Sequence, residues 1–278
     1  MSYKIIGDSC TDLPKALKED PHFKLVPLTL IVADKEIIDD ETFDQQGFLR
    51  SMKACPTSPK SACPSPEDYM KEFDQAEDIY IITLSSELSG SYNSAELAKK
   101  LYLEDHPNKN IKVIDSRSAS VGQTLIAMKI TELIKQGQSF ETIVIKIDAF
   151  RESLKTKFVL ESLDNLRKNG RLSGLQAIIC SALNIKPIMG ATKEGTIYKL
   201  DQARGVIKAL ILMAKAIEQD VFKPQERILG IAHCNDYARA LFFKDEVLKR
   251  VPFKDFFIVD TAGVSSLYAN EGGIITAY

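Results

Sequence analysis

IYIITLSSELSGSYNSAEL, residues Ile79 to Leu97, decides how this chain is read. Ile79 to Leu84 is a run of apolar, largely β-branched residues, the pattern of a strand buried on both faces. A polar turn follows at once, Ser85-Ser86-Glu87-Leu88-Ser89-Gly90-Ser91. A helical pattern then begins, with Ala95, Leu97, Ala98, Leu101 and Tyr102 on its predicted apolar face. Strand, short Ser/Gly turn and helix N-terminus together favour an anion. The first helical N–H groups lack intrahelical partners, and the macrodipole adds partial positive charge there. Ser89, Gly90 and Ser91 bring hydroxyls and bare backbone, so a negatively charged group is expected at this turn.

The same unit recurs on either side. Tyr3 to Gly7 predicts a strand, and Asp8-Ser9-Cys10-Thr11-Asp12 the turn after it. Thr11 or Asp12 is expected to cap the next helix, with Pro14 in its first turn. Ile111 to Ile114 predicts a strand ending in Asp115-Ser116, followed by helices from Ser118 to Gln136 and from Ser139 to Leu154. Strands alternating with helices imply parallel βαβ units, whose ligands lie outside the strand C-terminal ends. Three polar turns (Asp8-Ser9, Ser85 to Ser91, Asp115-Ser116) occupy that edge.

Phe23 to Val32 predicts one strand, placed at an edge or bulge by Pro27. A helix is expected from Asp44 to Ala54. Cys55 to Pro66 holds four prolines and predicts a semi-rigid loop without regular structure. Ser65, Pro66 and Asp68 then spell a helix start: cap, first position and N3 carboxylate.

The second half mixes its signals. Phe158 to Leu160 predicts a strand and Leu163 to Lys168 a helical turn closed by Asn169-Gly170. An apolar helix is expected from Leu175 to Leu183, and a hairpin-like pair from Ile185 to Met189 and Gly195 to Leu200. Helices from Arg204 to Glu218 and Asp236 to Arg250 alternate with strands from Ile228 to His233, Phe256 to Val259 and Ile274 to Ala277. The expected fold class is α/β. Residues 1–155 form a domain with a mainly parallel sheet flanked by helices and bearing the Ser-Gly turn. Residues 156–278 form a two-layer α/β lid, with the ligand pocket between or beside the two.

With 278 residues, 45% hydrophobic and 27% charged, the chain matches ordinary globular proteins. A net charge of −2 gives no electrostatic case for nucleic acid. No apolar run reaches the ~18 residues of a membrane span. The N-terminus lacks the form of a secretory signal, and the five cysteines are scattered without metal spacing, so a cytoplasmic protein with reduced thiols is expected.

Catalytic patterns are thin. Ser89 lies in L-S-G-S-Y rather than a G-x-S-x-G elbow. A triad needs a histidine, and His22 and His106 sit beside prolines while His233 ends a strand, where it is more often structural. No G-x-x-x-x-G-K-[ST] or G-x-G-x-x-G is present, so nucleotides lack their usual cradles. Asp8, Asp12, Asp39, Asp40 and Asp115 are the set that could gather around Mg²⁺, but turn carboxylates after strands are usually caps. No metal, cofactor or catalytic residue is therefore expected. Arg171 and Arg204 are candidates for contact with a phosphate or an acidic partner, solvated surface arginines being the equal alternative.

Taken in order, the segments resemble the DegV family over essentially the whole chain. The matching pieces are Asp8-Ser9 with Asp12-Leu13-Pro14, Val26-Pro27-Leu28, Pro59 to Asp68, Ser85 to Ala95, Asp115-Ser116, Leu163 to Leu166, Gly170 to Ser173, and Lys186-Pro187-Ile188. The resemblance implies a two-domain α/β protein that encloses a long-chain fatty acid and is a carrier rather than an enzyme. It implies a carboxylate held by a hydroxyl of the Pro-rich loop, here Ser61, and by Ser89 with Gly90 and Ser91. It further implies a separate ATP-dependent fatty acid kinase subunit as partner, and transient membrane contact as the carrier delivers its product.

Two departures from the family pattern stand out. Ser61 replaces the usual threonine and keeps its hydroxyl. Tyr268 occupies a position where many members carry histidine; a phenol donates a hydrogen bond but supplies no positive charge near neutral pH. The competing readings are a serine-dependent acyl hydrolase or transferase using Ser89, and a lipid sensor without a kinase partner.

Overall fold

Phe23 to Val32 is two strands in two different sheets. The structure, a computed structural model, describes residues 2–73, 76–172 and 184–278. In it β1 (Tyr3–Asp8) pairs in parallel with β2 (Phe23–Val26), and the chain then turns through Pro27 and Leu28 into β3 (Thr29–Val32). Strand β3 pairs antiparallel with β4 (Lys35–Ile38) and with β5 (Lys60–Ala62), a small separate sheet. The break has a local cause: proline donates no ladder hydrogen bond. Leu28 N–H is instead taken by the Ser9 hydroxyl at 3.0 Å.

Strand β5 also corrects the expectation for Cys55 to Pro66. The prolines flank Lys60–Ala62 rather than interrupt it, so three residues are free to pair. The predicted capping box closes as read, with Ser65 accepting from Asp68 N–H at the start of α3 (Pro66–Met70).

The larger parallel sheet runs β2-β1-β6-β7, with β6 (Asp78–Thr83) buried at every position and β7 (Asn110–Asp115) at its edge. The helices of this half are α1 (Lys15–Lys18), α2 (Gln45–Ala54), α4 (Ser91–Asp105), α5 (Val121–Lys135) and α6 (Phe140–Ser153). Three expectations change here. Pro14 rather than Thr11 or Asp12 is the N-cap of α1, because Thr11 donates to the Asp8 carbonyl at 2.8 Å and Asp12 turns inward. Leu97 and Leu101 of α4 are 47% and 41% exposed; the helix packs through the small Ala95 and Ala98, which lets it lie close to the sheet. Helix α5 starts at Val121 rather than Ser118.

The second half builds a six-stranded sheet, β10-β9-β8-β13-β11-β12. Its strands are β8 (Thr156–Val159), β9 (Ile185–Ala191), β10 (Ile197–Arg204), β11 (Ile228–His233), β12 (Asp255–Asp260) and β13 (Ile274–Ala277). All neighbours are antiparallel except β11 with β12. Helices α8 (Val206–Asp220) and α9 (Tyr237–Leu248) cover one face. Two short helices, α7 (Asp164–Lys168) and α10 (Gly263–Ala269), stand at the edge facing the first half; α10 was not foreseen. The helix expected from Leu175 to Leu183 lies outside the described residues.

Helix α5 joins the two sheets. Ile126, Ala127 and Ile130 pack with the parallel sheet, while Val121 and Leu125 join the cluster on the six-stranded one. A helix with apolar residues on more than one face needs more than one partner, and α5 meets that demand by standing between the sheets while Glu132 and Lys135 face solvent.

Candidate functional site

The three polar turns meet at the C-terminal edge of the parallel sheet. Leu84 N–H donates to Asp8 Oδ2 at 2.7 Å, and the Ser86 hydroxyl to Asp115 Oδ2 at 2.6 Å. Ser85 ties the turn to both halves of the chain: its N–H goes to Ser118 O at 2.9 Å and its hydroxyl to Gly195 O at 2.9 Å. Held this way, the turn presents Ser89 and Gly90 ahead of α4. Ser89 Oγ lies 3.1 Å from Ser91 Oγ and accepts from Ser91 N–H at 3.2 Å.

A second arm comes from the Pro-rich loop. Pairing of β5 with β3 sets Ser61 opposite Leu30, and Ser94 of α4 donates to Pro64 O at 2.6 Å. Cys63 closes on the turn so tightly that a Cβ at Gly90 would sit 3.1 Å from its sulfur. A side chain at this position would need the Cys63 sulfur to give by a few tenths of an ångström. A third arm is Tyr268 of α10, whose phenol oxygen lies 3.2 Å from Ser61 Oγ. Arg171 completes the group: its Nε–H donates to Leu88 O at 3.1 Å, and its guanidinium lies 5.9 Å from the Tyr268 ring centre.

These residues line a vestibule with about 590 Å³ of empty space, bounded by Ser61, Cys63, Ser89, Gly90, Arg171 and Tyr268. Through Leu84, Leu88, Arg171 and Tyr268 it continues into an apolar cavity of about 710 Å³, open mouth included. Strand alternation points Thr156, Phe158 and Leu160 into that cavity from β8 and the residue after it. Leu166, Val264, Ala269 and Ile275 close other sides. Among the described residues no carboxylate lines either space, and Arg171 is the one cation. The arrangement therefore suits a ligand with an anionic or hydrogen-bonding head and a long apolar body.

Helix α10, which carries Tyr268, is fastened by buried carboxylates. Asp39 accepts from Gly263 N–H at 2.7 Å, Val264 N–H at 2.9 Å and the Ser9 hydroxyl at 2.9 Å. Asp12 accepts from Ala262 N–H at 2.6 Å and from the Ser120 hydroxyl. Burial pushes Asp12 up to about 7, and Asp8 and Asp39 up to about 6, each opposed by the hydrogen bonds it accepts. These aspartates, read from sequence as caps or Mg²⁺ ligands, thus hold backbone amides far away in the chain. Among the described residues no three metal-ligating side chains gather.

Of the residues singled out in the sequence, Ser61, Ser89, Gly90, Arg171 and Tyr268 share the vestibule. Ser91 is buried beneath it against Ser89. Arg204 is exposed at the end of β10 and lines neither space. No histidine lines them either, and His233 is buried beside Asp260. Helix α5 supplies none of the cavity wall, its apolar residues being packed into the clusters on the two sheets. Cys63 and the β8 residues were missed; the period-two pattern Thr156, Phe158, Leu160 was the available signal.

Comparison with known proteins gives a consistent result. The sequence profile of the DegV family matches residues 2–277. A DegV domain-containing protein of Streptococcus gordonii is 40% identical over 100% of this chain and 99% of its own length. A DegV family protein of Ruminococcus gnavus, refined with vaccenic acid, is 47% identical with a TM-score of 0.97, covering 100% of this chain and 99% of that one. The Streptococcus pneumoniae fatty acid kinase (Fak) B3 protein, loaded with linoleic acid, is 38% identical with a TM-score of 0.92 over 100% and 99% of the two chains. Among the described residues no helix is long and apolar enough to cross a membrane.

Proposed function

This chain belongs to the DegV family, and on that premise we propose that it binds a long-chain fatty acid. The alkyl tail occupies the apolar cavity, and the carboxylate sits in the vestibule between the hydroxyls of Ser89, Ser61 and Tyr268. The observation that carries this reading is the continuity of the two spaces: an apolar cavity that opens only partly, onto hydroxyls and one arginine. The fatty acids held by relatives at 47% and 38% identity support it.

Magnitudes assign the roles. Burying about fifteen methylenes at ~0.8 kcal/mol each is worth about 12 kcal/mol before ordering costs. Net hydrogen bonds at the head contribute about 1 kcal/mol each. The tail therefore sets affinity, while the vestibule sets orientation and selects for an acid head.

The protein is a carrier that presents the acid to a separate ATP-dependent kinase subunit, as the fatty acid kinase assignment of its pneumococcal relative suggests. The absence of an imidazole beside Ser89 among the described residues favours this over a serine hydrolase. Mass spectrometry of a solvent extract from purified protein tests the binding. A stoichiometric fatty acid is expected; protein that purifies empty and takes up no added acid overturns the reading. Capture of an ATP-binding kinase subunit from the source cells tests the presentation separately, and its failure would leave a carrier or sensor.

A further inference from the structure

A buried carboxyl stands behind the Ser-Gly turn. Asp8, at the end of β1, is wholly inaccessible to solvent. Its oxygens accept from Leu84 N–H at 2.7 Å, Gln123 Nε2 at 2.8 Å and Cys10 N–H at 3.2 Å. Leu84 lines both the vestibule and the cavity, so a single residue separates this carboxyl from the ligand space. A second connection runs through hydroxyls. Ser91, itself buried, hydrogen-bonds to Asp8, and its Oγ lies 3.1 Å from Ser89 Oγ at the vestibule wall.

Asp8 has no countercharge: among the described residues no lysine, arginine or histidine pairs with it. The titratable groups that face it are the Cys10 thiol, which Asp12 faces as well, and the Tyr69 phenol; burial keeps both neutral. Helices α4 and α5 present Ser91 and Gln123 to it. Burial pushes its carboxyl up to about 6. At pH 7 the empty protein therefore holds Asp8 mostly ionised, yet close to taking a proton.

We propose that Asp8 is a positioning residue for the fatty-acid head group, taking up one proton from solvent when the carboxylate arrives and turning the Ser91 and Ser89 hydroxyls towards it. This role rests on the fatty-acid reading of the vestibule. An ionised Asp8 accepts the Ser91 hydroxyl proton; Ser91 Oγ then accepts from Ser89, whose proton points away from the ligand. With a proton on Asp8 the order reverses: Asp8 donates to Ser91, Ser91 to Ser89, and Ser89 to the carboxylate. Each hydroxyl has one proton to give, so the chain turns together. Two carboxylates joined through a buried site repel, which drives a proton onto one of them. A methyl ester brings no charge and leaves Asp8 ionised, so the chain tells an acid from an ester although both offer a carbonyl oxygen.

Calorimetric titration of the full chain, stripped of copurified lipid, with dodecanoic acid at pH 7 in buffers of different ionisation enthalpy reads the proton balance. About half a proton or more should be taken up per acid bound, and almost none per methyl ester. Infrared difference spectra, with the acid isotope-labelled at its carboxyl carbon, should show a newly protonated protein carboxyl while the ligand stays ionised. Acid affinity should fall about three- to tenfold from pH 7 to pH 8. Asp8→Asn should abolish the uptake and the infrared band and level the pH profile. Acid that binds without proton uptake, equal uptake with the ester, a proton on the ligand, or uptake that survives Asp8→Asn overturns this role and leaves the fatty-acid reading intact. If Asp8→Asn does not fold, the wild-type proton count and infrared band decide. Acid that does not bind at all overturns both.

Discussion

Ser61 and Tyr268, 207 positions apart in the chain, meet with their hydroxyl oxygens 3.2 Å apart. One comes from the three-residue strand β5 and the other from the short helix α10, so neither segment alone makes a site. Their contact brings the Pro-rich loop and the C-terminal segment to one side of the vestibule, opposite Ser89. If a carboxylate is held there, the pair acts as a unit. Ser61→Ala and Tyr268→Phe should each lower fatty-acid affinity about 3- to 10-fold, the equivalent of one net hydrogen bond. The double variant should lose less than the sum, because each single change already breaks the shared bond. Titration with the acid and its methyl ester checks this. Strictly additive losses would mean that the two hydroxyls act separately.

Ser89→Ala should reduce discrimination between the acid and its methyl ester more than it reduces stability. Among the described residues its hydroxyl, half-buried, bonds only locally, to Ser91. An unchanged acid-to-ester ratio in this variant would remove Ser89 from the head-group contacts.

The carboxylate of Asp39 satisfies two buried amides at the start of α10. Asp39→Ala leaves both without acceptors and should destabilise the fold by about 3 kcal/mol, read as a fall in the urea midpoint. Asp39→Asn keeps one acceptor oxygen and should cost about half as much. Since α10 carries Tyr268, both variants should also weaken acid binding relative to ester.

Asp12 makes stability depend on pH in an unusual direction. Burial raises its carboxyl from 3.8 to about 7 in the folded protein. The folded state then holds a proton that the unfolded chain releases. Stability should therefore rise as pH falls from about 7 towards 4 and level off below that. Asp8 and Asp39, raised to about 6 by burial, act in the same sense. Chemical denaturation of wild type and Asp12→Asn from pH 8 to pH 4.5 measures the effect. The wild-type gain should exceed the variant's by on the order of 1–3 kcal/mol, whereas parallel profiles would show that Asp12 stays ionised.

Two glycines separate backbone strain from steric conflict. Gly170 (φ +76) ends α7 with nothing within 4 Å of the place a Cβ would take, and Gly170→Ala should cost about 1 kcal/mol through its left-handed backbone alone. Gly195 (φ +95) lines the cavity, and a Cβ there would meet Ser85 Oγ at 2.3 Å and Arg117 Cα at 2.8 Å. Gly195→Ala should cost distinctly more in a thermal melt, and should weaken tail binding as well. Equal costs would contradict this account of the turn.

Local chemistry alone determined a great deal here. The buried run at Ile79 to Leu84, the Ser-Gly turn and helix that follow it, the capping box at Ser65, and the alternation of strands and helices all rest on periods and caps spanning a few residues. The same local signals make Phe23 to Val32 look like one strand. Pro27 marks a break in pairing, but which sheet each half joins depends on partners as far along the chain as Ala62. The opening turn stands between its predicted strand and helix, and the structure adds what lies near it: Cys63 against Gly90, and Ser61 with Tyr268 lining the same vestibule. Tertiary structure alone decided that Asp12 and Asp39 hold α10, that α5 fills the space between the sheets, and that β8 walls the cavity. A side chain's type and spacing report its own segment. Burial and long-range pairing depend on which distant segments share the same volume, and only the packed chain settles that.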